Sequence, residues 1–217
     1  MICCWSDRFL HRTRTQGQSH NAAMKIQFSN IAVVGTGAMG RGIAQIAAQA
    51  GSQVFLLDAN PGAAETAKTA LLQQWGKLVA KGRLEADEAT ALAARLHPVE
   101  SIAQLSACDL VVEAIVERLD AKQSLFSDLE AVVRNDAILA TNTSSLSVTA
   151  IGAVLKNPAR LAGFHFFNPV PLMKVVEVIA GLKTDAAVCT ALSGYARQMG
   201  HTPVLAQDTP GFIVNHA

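Results

Sequence analysis

Apolar runs of four to six residues alternate with longer segments in which apolar residues recur at helical spacing. We predict the short runs as strands at residues 31–35, 53–58, 109–114, 137–141, 161–166, 175–179 and 203–206. The longer segments predict helices at 39–50, 63–80, 85–96, 119–133 and 186–199. Strands that are apolar along nearly their whole length are typical of a sheet buried on both faces. The pattern therefore predicts an α/β, Rossmann-like doubly wound fold, with a mostly parallel sheet and a final antiparallel strand or hairpin.

The composition narrows the classes of protein that need considering. Hydrophobic residues make up 50% of the 217 residues and charged residues 16%, with a formal net charge of +1. We therefore expect a folded domain that binds neither nucleic acid nor membrane. The four cysteines, Cys3, Cys4, Cys108 and Cys189, fit neither a disulfide framework nor a paired metal site. Reduced thiols and no metal are the prediction, which favours the cytoplasm.

The hydrophobic pattern is absent at the start of the chain. Arg8, Arg12 and Arg14 accompany a single acidic residue, Asp7, in the first 23 residues. A mitochondrial transit peptide, and hence the matrix, is one interpretation, and a spurious start upstream of Met24 is the plainer one. We expect residues 1–29 to be a disordered or spurious extension, and residues 30–215 to form the domain.

A glycine motif follows the first predicted strand and opens the first helix. Gly35, Gly37 and Gly40 form G-x-G-x-x-G, where the glycines allow a tight turn, close approach of a pyrophosphate and close helix packing. Ala38 and Met39 begin the helix whose N–H groups face the phosphates. Asp58 ends the second strand 23 residues after Gly35, which suits a ribose 2′-hydroxyl. No arginine follows Asp58 directly, so we predict NAD as the cofactor. A structural glycine turn with a helix-capping Asp58 is the alternative.

Two further features indicate chemistry. The polar run of residues 141–146 follows a strand, where ligands collect in open sheets, although Ser and Thr there also suit a helix cap. His165 ends another strand, and Glu177 interrupts an apolar strand 12 residues later. A hairpin centred on Pro171 would bring His165 and Glu177 together. The pair would make a general base oriented by a carboxylate, or a structural ion pair.

Five stretches together resemble the L-3-hydroxyacyl-CoA dehydrogenase family: GTGAMGRGIAQIAAQAG, VVEAIVERLDAKQSLF, ATNTSSLSV, HFFNPVPLMKVVEV and DTPGFIVN. The resemblance covers about residues 30–215. It implies that His165 takes the proton of the 3-hydroxyl group with help from Glu177, while Ser144 and Asn215 contact substrate near the reacting oxygen. The positions that it assigns to the cofactor are Glu117, Lys122, Asn142 and Asn168. Without the resemblance, the Glu117–Lys122 stretch indicates only an exposed helix entrance.

The resemblance also assigns Lys81 to the CoA moiety, although a solvated lysine is an equally good interpretation. At a neighbouring position where some relatives have Ser, this chain has Gln74, so the resemblance does not extend to a CoA contact there. The family continues beyond Asn215 into a helical second domain that closes the site and forms the homodimer, and this sequence predicts that domain to be absent.

The resemblance thus predicts NAD-dependent oxidation of (S)-3-hydroxyacyl-CoA to 3-ketoacyl-CoA, in fatty-acid or aromatic-acid degradation. Two alternatives stay open: an NAD-binding fragment without turnover, and a related dehydrogenase of free hydroxy acids. Acyl chain length, and preference for a hydroxybutyryl or a hydroxyadipyl group, are not predicted.

Overall fold

The computed structural model describes residues 27–209. Most of the predicted extension and the predicted site residue Asn215 lie outside the described residues. The strands are β1 Asn30–Val34, β2 Gln53–Leu57, β3 Leu96–Pro98, β4 Leu110–Glu113, β5 Ile138–Thr141, β6 Leu161–Phe166, β7 Val175–Ala180 and β8 Thr202–Gln207. The α-helices are α1 Ala38–Gln49, α2 Ala63–Ala80, α3 Ala86–Ala94, α4 Leu119–Val132, α5 Val148–Gly152 and α6 Ala186–Gln198.

The eight strands form one sheet in the order β3-β2-β1-β4-β5-β6-β7-β8. Neighbouring strands from β3 to β6 are parallel, β7 is antiparallel to β6, and β8 runs parallel to β7. The chain moves outward in one direction from β1 to β3 and then in the other from β4, so the order reverses between β1 and β4. The predicted doubly wound, mostly parallel sheet with an antiparallel hairpin is therefore confirmed.

Both faces of the sheet are covered, and successive residues of β1 serve opposite faces. Ile31 and Val33 pack in a core cluster with residues of α1, α2 and α6, whereas Ala32 and Val34 pack in a second cluster with residues of α4 and α5. This double burial explains why the strands are apolar throughout instead of alternating with polar residues. Between residues 27 and 209, no helix is both long and apolar enough to span a bilayer.

One predicted helix is wrong at its end. The helix predicted over 85–96 stops at Ala94, because Leu96–Pro98 forms the edge strand β3 beside β2. Leu92 and Leu96 are four residues apart, which suits one helix face, but Leu96 is buried in the sheet instead. Pro98 is tolerated because an edge strand leaves one row of backbone groups unpaired. The short strand β3 and helix α5 were not predicted.

The packed structure begins ahead of residue 30. The ring of Phe28 meets that of Tyr195 edge-on, with ring centroids 5.1 Å apart. The Ser52 hydroxyl donates to the Phe28 carbonyl oxygen at 2.7 Å. These contacts tie the segment before β1 to α6 and to the turn before β2.

Candidate active site

The glycine turn lies at the carboxyl end of β1, where the strand order reverses. Gly35 has a φ of +94°, and a Cβ there would lie 2.5 Å from the carbonyl oxygen of Ala114. A Cβ on Gly40 would lie 1.7 Å from the carbonyl oxygen of Gly35, so α1 can pack on the turn only with glycine here. A Cβ on Gly37 would meet no described atom within 4 Å. The turn is therefore closed at Gly35 and Gly40 and open at Gly37, which fits an approaching pyrophosphate.

The start of α1 adds favourable electrostatics to the open side of this turn. Gly37 is the N-cap residue, so it has no side chain to occupy the first N–H groups of the helix. Ala38 is exposed and Met39 is half-buried. The N–H groups at these positions are thus available in the way that an anion at a helix N-terminus requires.

Asp58 follows β2 and binds the glycine turn. One carboxylate oxygen, Oδ2, accepts from the backbone N–H of Thr36 at 2.7 Å and from its hydroxyl at 2.8 Å. The other oxygen, Oδ1, accepts from the backbone N–H of Asn60 at 3.0 Å. Burial opposes ionisation of Asp58, but these hydrogen bonds outweigh it and lower the pKa of the carboxyl. The charge of Asp58 is therefore held in place beside the glycine turn.

A cleft of about 460 Å³ opens beside Asp58 and contains Gly37, Asn60 and Arg41. Arg41 was not associated with Asp58 in the sequence, because it lies in the first turn of α1 and not after β2. Its guanidinium is the one cationic group lining this cleft among residues 27–209. The cleft thus has one fixed negative and one positive group.

The β6–β7 hairpin carries the predicted His–Glu pair. His165 and Glu177 are directly opposite in the register, and His165 Nδ1 lies 2.8 Å from Glu177 Oε2. Glu177 is fully buried, and His165 is 6% exposed. The predicted contact between these side chains is confirmed. A carboxylate beside Nδ1 favours the tautomer that carries its proton there, so Nε2 is the basic nitrogen.

Asn142 follows β5, and Asn168 lies in the turn after β6. The Asn142 side-chain oxygen accepts from the backbone N–H of Phe166 at 2.9 Å, so this predicted cofactor residue also joins the ends of β5 and β6. Asn168 is exposed in the turn after β6.

The polar run after β5 gathers around Glu117. Glu117 Oε1 accepts from Thr143 Oγ1 at 2.6 Å, from the Ser144 backbone N–H at 2.8 Å and from the Ser145 backbone N–H at 3.1 Å. Burial opposes ionisation of Glu117, but these hydrogen bonds and the charge of Lys122 lower its pKa to about 2. Glu117 and Ser144, predicted for cofactor and substrate respectively, are therefore in direct contact.

Lys122 corrects the expectation of an exposed helix entrance. It lies in the first turns of α4 but is only 1% exposed. Its Nζ is 2.5 Å from Glu113 Oε1 and 3.3 Å from Glu117 Oε2. Sequence reasoning missed Glu113, which is fully buried at the end of β4. The signal was available, since Glu113, like Glu177, is a carboxylate in an apolar strand.

The residues predicted for CoA lie on α2. Lys81 is the exposed C-cap of that helix. Gln74 is exposed, and its Nε2 donates to Gln45 Oε1 at 3.3 Å.

These features define the class of protein. A doubly wound sheet with a glycine turn and a carboxylate after β2 is a dinucleotide-binding domain, and the histidine–carboxylate pair at the same edge suits an oxidoreductase. Residues 30–209 match the family described as 3-hydroxyacyl-CoA dehydrogenase, NAD binding domain. The chain belongs to this family.

Known proteins and structures agree with this assignment. The chain is 46% identical over 192 residues to 3-hydroxyadipyl-CoA dehydrogenase of Escherichia coli K12, covering 88% of this chain and 40% of that protein. It is 40% identical to a probable 3-hydroxybutyryl-CoA dehydrogenase of Bacillus subtilis, covering 88% and 66% respectively. The chain thus spans between 40% and 66% of the length of these two relatives.

Two crystal structures share the fold. The 3-hydroxybutyryl-CoA dehydrogenase of Escherichia coli superposes with a TM-score of 0.84 at 45% identity, over 86% of this chain and 40% of that one. The (S)-3-hydroxybutyryl-CoA dehydrogenase of Ralstonia eutropha superposes with a TM-score of 0.84 at 34% identity, over 87% and 67%.

Proposed function

We propose that this protein catalyses NAD-dependent oxidation of (S)-3-hydroxyacyl-CoA to 3-ketoacyl-CoA. The observation that carries the proposal is the buried contact of 2.8 Å between His165 Nδ1 and Glu177 Oε2. The pair lies near the carboxyl end of β6, on the edge of the sheet that also carries the glycine turn. Family membership and the names of the relatives support the same reaction.

In this proposal, His165 accepts the proton of the 3-hydroxyl group at Nε2. Glu177 accepts the Nδ1–H hydrogen bond, keeps the required tautomer and stabilises the imidazolium that forms. Ser144, and Asn215 outside the described residues, hydrogen-bond the reacting oxygen. Bound NAD supplies the acceptor for the hydride that leaves C3. The substrate thus loses one hydride and one proton and becomes the ketone.

The remaining proposed site residues bind the two ligands. Gly35, Gly37 and Gly40, with Ala38 and Met39, hold the pyrophosphate, and Asp58 accepts from a ribose hydroxyl. The further cofactor contacts that we propose are Glu117, Asn142 and Asn168, with Lys122, which is only 1% exposed, acting through its ion pair with Glu117. Lys81 would place its ammonium group near a phosphate of CoA, at the exposed end of α2.

Degradation of fatty or aromatic acids is the proposed context, supported by the hydroxyadipyl and hydroxybutyryl substrates in the names of the relatives. A cytoplasmic location belongs to the same proposal. Cys108 and Cys189 support this location, because both thiols are unbridged and buried. Burial also raises the pKa of the Cys108 thiol to about 12.

The test follows NADH formation with (S)-3-hydroxybutyryl-CoA, with 3-hydroxyadipyl-CoA and with free 3-hydroxybutyrate. We expect the CoA esters to be oxidised and the free acid to react far more slowly. His165→Gln should lower kcat by ~100- to 10,000-fold, the usual effect of losing a general base, and leave NAD affinity unchanged. His97→Gln is the matched control, since this histidine lies on the edge strand β3, five strands away from β6, where its side chain contacts Gln53 and Phe55.

Three other results would redirect the proposal. Faster oxidation of the free acid would make the protein a hydroxy-acid dehydrogenase. NAD binding without turnover of any of the three compounds would leave a non-catalytic NAD-binding domain. A Glu177→Gln variant with normal kcat would show that the His–Glu pair is a structural ion pair, because replacing a charge-assisted hydrogen bond by a neutral one should cost about 10-fold.

A further inference from the structure

Glu113 lies between the two loops of the site. It is the last residue of β4, opposite Val34 of β1 and Thr141 of β5 in the register. The glycine turn follows Val34, and the Thr–Ser run follows Thr141. Its side chain is fully buried. A buried carboxylate thus lies at the carboxyl end of β4, beside the point at which the strand order reverses, and it has no role in the proposed chemistry.

The carboxylate is saturated by local donors. Its Oε1 accepts from the Ile115 backbone N–H at 2.7 Å and from Lys122 Nζ at 2.5 Å. Its Oε2 accepts from Thr141 Oγ1 at 2.6 Å. A buried carboxylate is stable only with such partners, because its desolvation must be offset by charge and hydrogen bonds. These hydrogen bonds fix the Glu113 side chain in one conformation, and its charge holds the Lys122 ammonium beside it.

Lys122 passes this constraint to Glu117. Its Nζ also lies 3.3 Å from Glu117 Oε2, so the ammonium bridges the two carboxylates. The other oxygen of Glu117 gathers Thr143 Oγ1 and the N–H groups of Ser144 and Ser145. An unbroken series of polar contacts thus runs from the end of β4 to the loop that carries Ser144.

We propose that Glu113 is a positioning residue, which fixes the Ser144 loop through Lys122 and Glu117. Because Glu113 anchors the ammonium on the sheet, Glu117 can act as a fixed acceptor instead of a solvated glutamate. The importance of that loop for substrate rests on the proposed function, but the positional effect does not. It can be measured on a protein that turns over no substrate.

The experiment compares amide hydrogen exchange by nuclear magnetic resonance in the whole chain and in Glu113→Gln. The amide keeps the size of the side chain but removes its charge. We expect the Ser144 and Ser145 amides to exchange about 10-fold faster, as loss of one charged hydrogen-bond partner implies. Glu130→Gln is the matched control. Glu130 lies in the last turn of α4, at the end opposite Lys122. It accepts from the backbone N–H groups of Lys156 and Asn157 at 2.7 and 3.0 Å.

The two variants should show reciprocal effects. Glu130→Gln should accelerate amide exchange at Lys156 and Asn157 and leave exchange at Ser144 and Ser145 unchanged. Glu113→Gln should accelerate exchange at Ser144 and Ser145 and leave Lys156 and Asn157 unchanged. Uniform acceleration at all four amides would mean that Glu113 serves only global stability, and would overturn the proposal. Unchanged exchange at Ser144 and Ser145 would overturn it as well.

Two further variants test the route and allow for failure to fold. Thr141→Val keeps every charge but removes the hydrogen bond to Glu113 and the longer one that the Thr141 hydroxyl accepts from the Thr143 N–H at 3.3 Å. Because no charged partner is lost, it should accelerate Ser144 and Ser145 exchange by less than Glu113→Gln. Lys122→Met breaks the connection, so adding Glu113→Gln to it should produce no further acceleration at these amides. Additive effects would contradict transmission through Lys122.

A kinetic measurement distinguishes this proposal from the proposed function. Where turnover is found, Glu113→Gln should lower kcat/KM for the hydroxyacyl-CoA several-fold, because Ser144 contacts the reacting oxygen in the proposed function. The pH dependence of kcat should stay unchanged, because His165 is held by Glu177 and not by Glu113. An unchanged kcat/KM, or a shifted pH profile, would contradict the positioning role. If no substrate is oxidised but the exchange results hold, the proposed function fails and the role of Glu113 stands.

Discussion

Asp58→Ala should weaken NAD binding through two separate losses. The first is the hydrogen bond from a ribose hydroxyl to a charged carboxylate, worth about 1.5–3 kcal/mol. The second is internal, because Asp58 accepts from Thr36 N and Oγ1 at 2.7 and 2.8 Å and thereby holds the residue between Gly35 and Gly37. The ligand contact alone corresponds to a roughly 10- to 150-fold increase in Kd. Loosening of the glycine turn should add to that factor.

The same variant makes a prediction about NADP. In the wild type, the carboxylate of Asp58 repels a 2′-phosphate, so NAD should bind more tightly. Arg41 lines the same cleft. When Asp58 is replaced by Ala, the guanidinium remains and the preference for NAD should shrink. The additional change Arg41→Ala should remove that gain for NADP and leave NAD affinity close to that of Asp58→Ala.

Isothermal titration of the chain with NAD and with NADP measures both effects. Asp136→Ala is the matched control, because this exposed aspartate pairs with Arg134 just before β5, at the opposite edge of the sheet. The control should bind both dinucleotides as the wild type does. A wild type that prefers NADP, or an Asp58→Ala variant that binds NAD as tightly as Asp136→Ala, would refute the assignment of Asp58.

Three further predictions concern stability. The pKa of Glu117 is lowered to about 2 from 4.5, so its contribution to the free energy of unfolding is present above the unfolded pKa and disappears as the pH falls toward 2. In urea unfolding, the difference in free energy of unfolding between wild type and Glu117→Gln should therefore shrink from about pH 5 to about pH 2. A difference that stays constant with pH would contradict this. Gly40→Ala should lower Tm and abolish NAD binding, because the added Cβ would lie 1.7 Å from the carbonyl oxygen of Gly35. Gly76→Ala on α2 is the control, because a Cβ there meets no described atom within 4 Å, and in thermal unfolding it should stabilise the protein by ~0.5–1 kcal/mol. Asp208→Ala removes the acceptor that binds the N–H groups of Val148 and Thr149 at 2.8 and 2.7 Å at the start of α5. The free energy of unfolding in urea should fall by ~0.5–2 kcal/mol, and no change would show that the N-cap Ser147, whose hydroxyl accepts from the Ala150 N–H at 3.1 Å, is sufficient for α5.

The sequence was sufficient for features whose cause is local. A hairpin has a two-residue period and a single pivot, so the positions 165 and 177 with Pro171 between them predict which residues face each other. The register confirms it. The glycine turn was equally accessible, since the φ of +94° at Gly35 and the contact between Gly40 and the Gly35 carbonyl both arise within six residues. The doubly wound sheet followed from apolar strands separated by helices, each of which is visible in its own segment.

The edge strand β3 shows where local patterns become ambiguous. Three residues are too short to establish a period, and Leu96 continues the apolar spacing of α3 as well as it begins a strand. The choice is made by the exposed edge of β2, which pairs with Leu96, His97 and Pro98. That partner lies about 40 residues earlier in the chain, so only tertiary structure reveals it.

The burial of Lys122 could not be predicted for a stronger reason. A lysine near the start of a polar helix is normally solvated, and its own segment contains nothing that argues otherwise. Its burial depends on two carboxylates, one in β4 and one in the loop that follows, and on the Thr–Ser run after β5 that occupies Glu117. Glu113 was open to the reasoning that identified Glu177, since a carboxylate in an apolar strand requires a partner. For Glu177, the hairpin register identifies His165 as the partner. After Glu113, by contrast, the chain leaves the sheet and returns to it through the helix α4. A buried charge in a parallel strand therefore predicts that a partner exists, but the crossover connection, not the spacing, decides which residue it is.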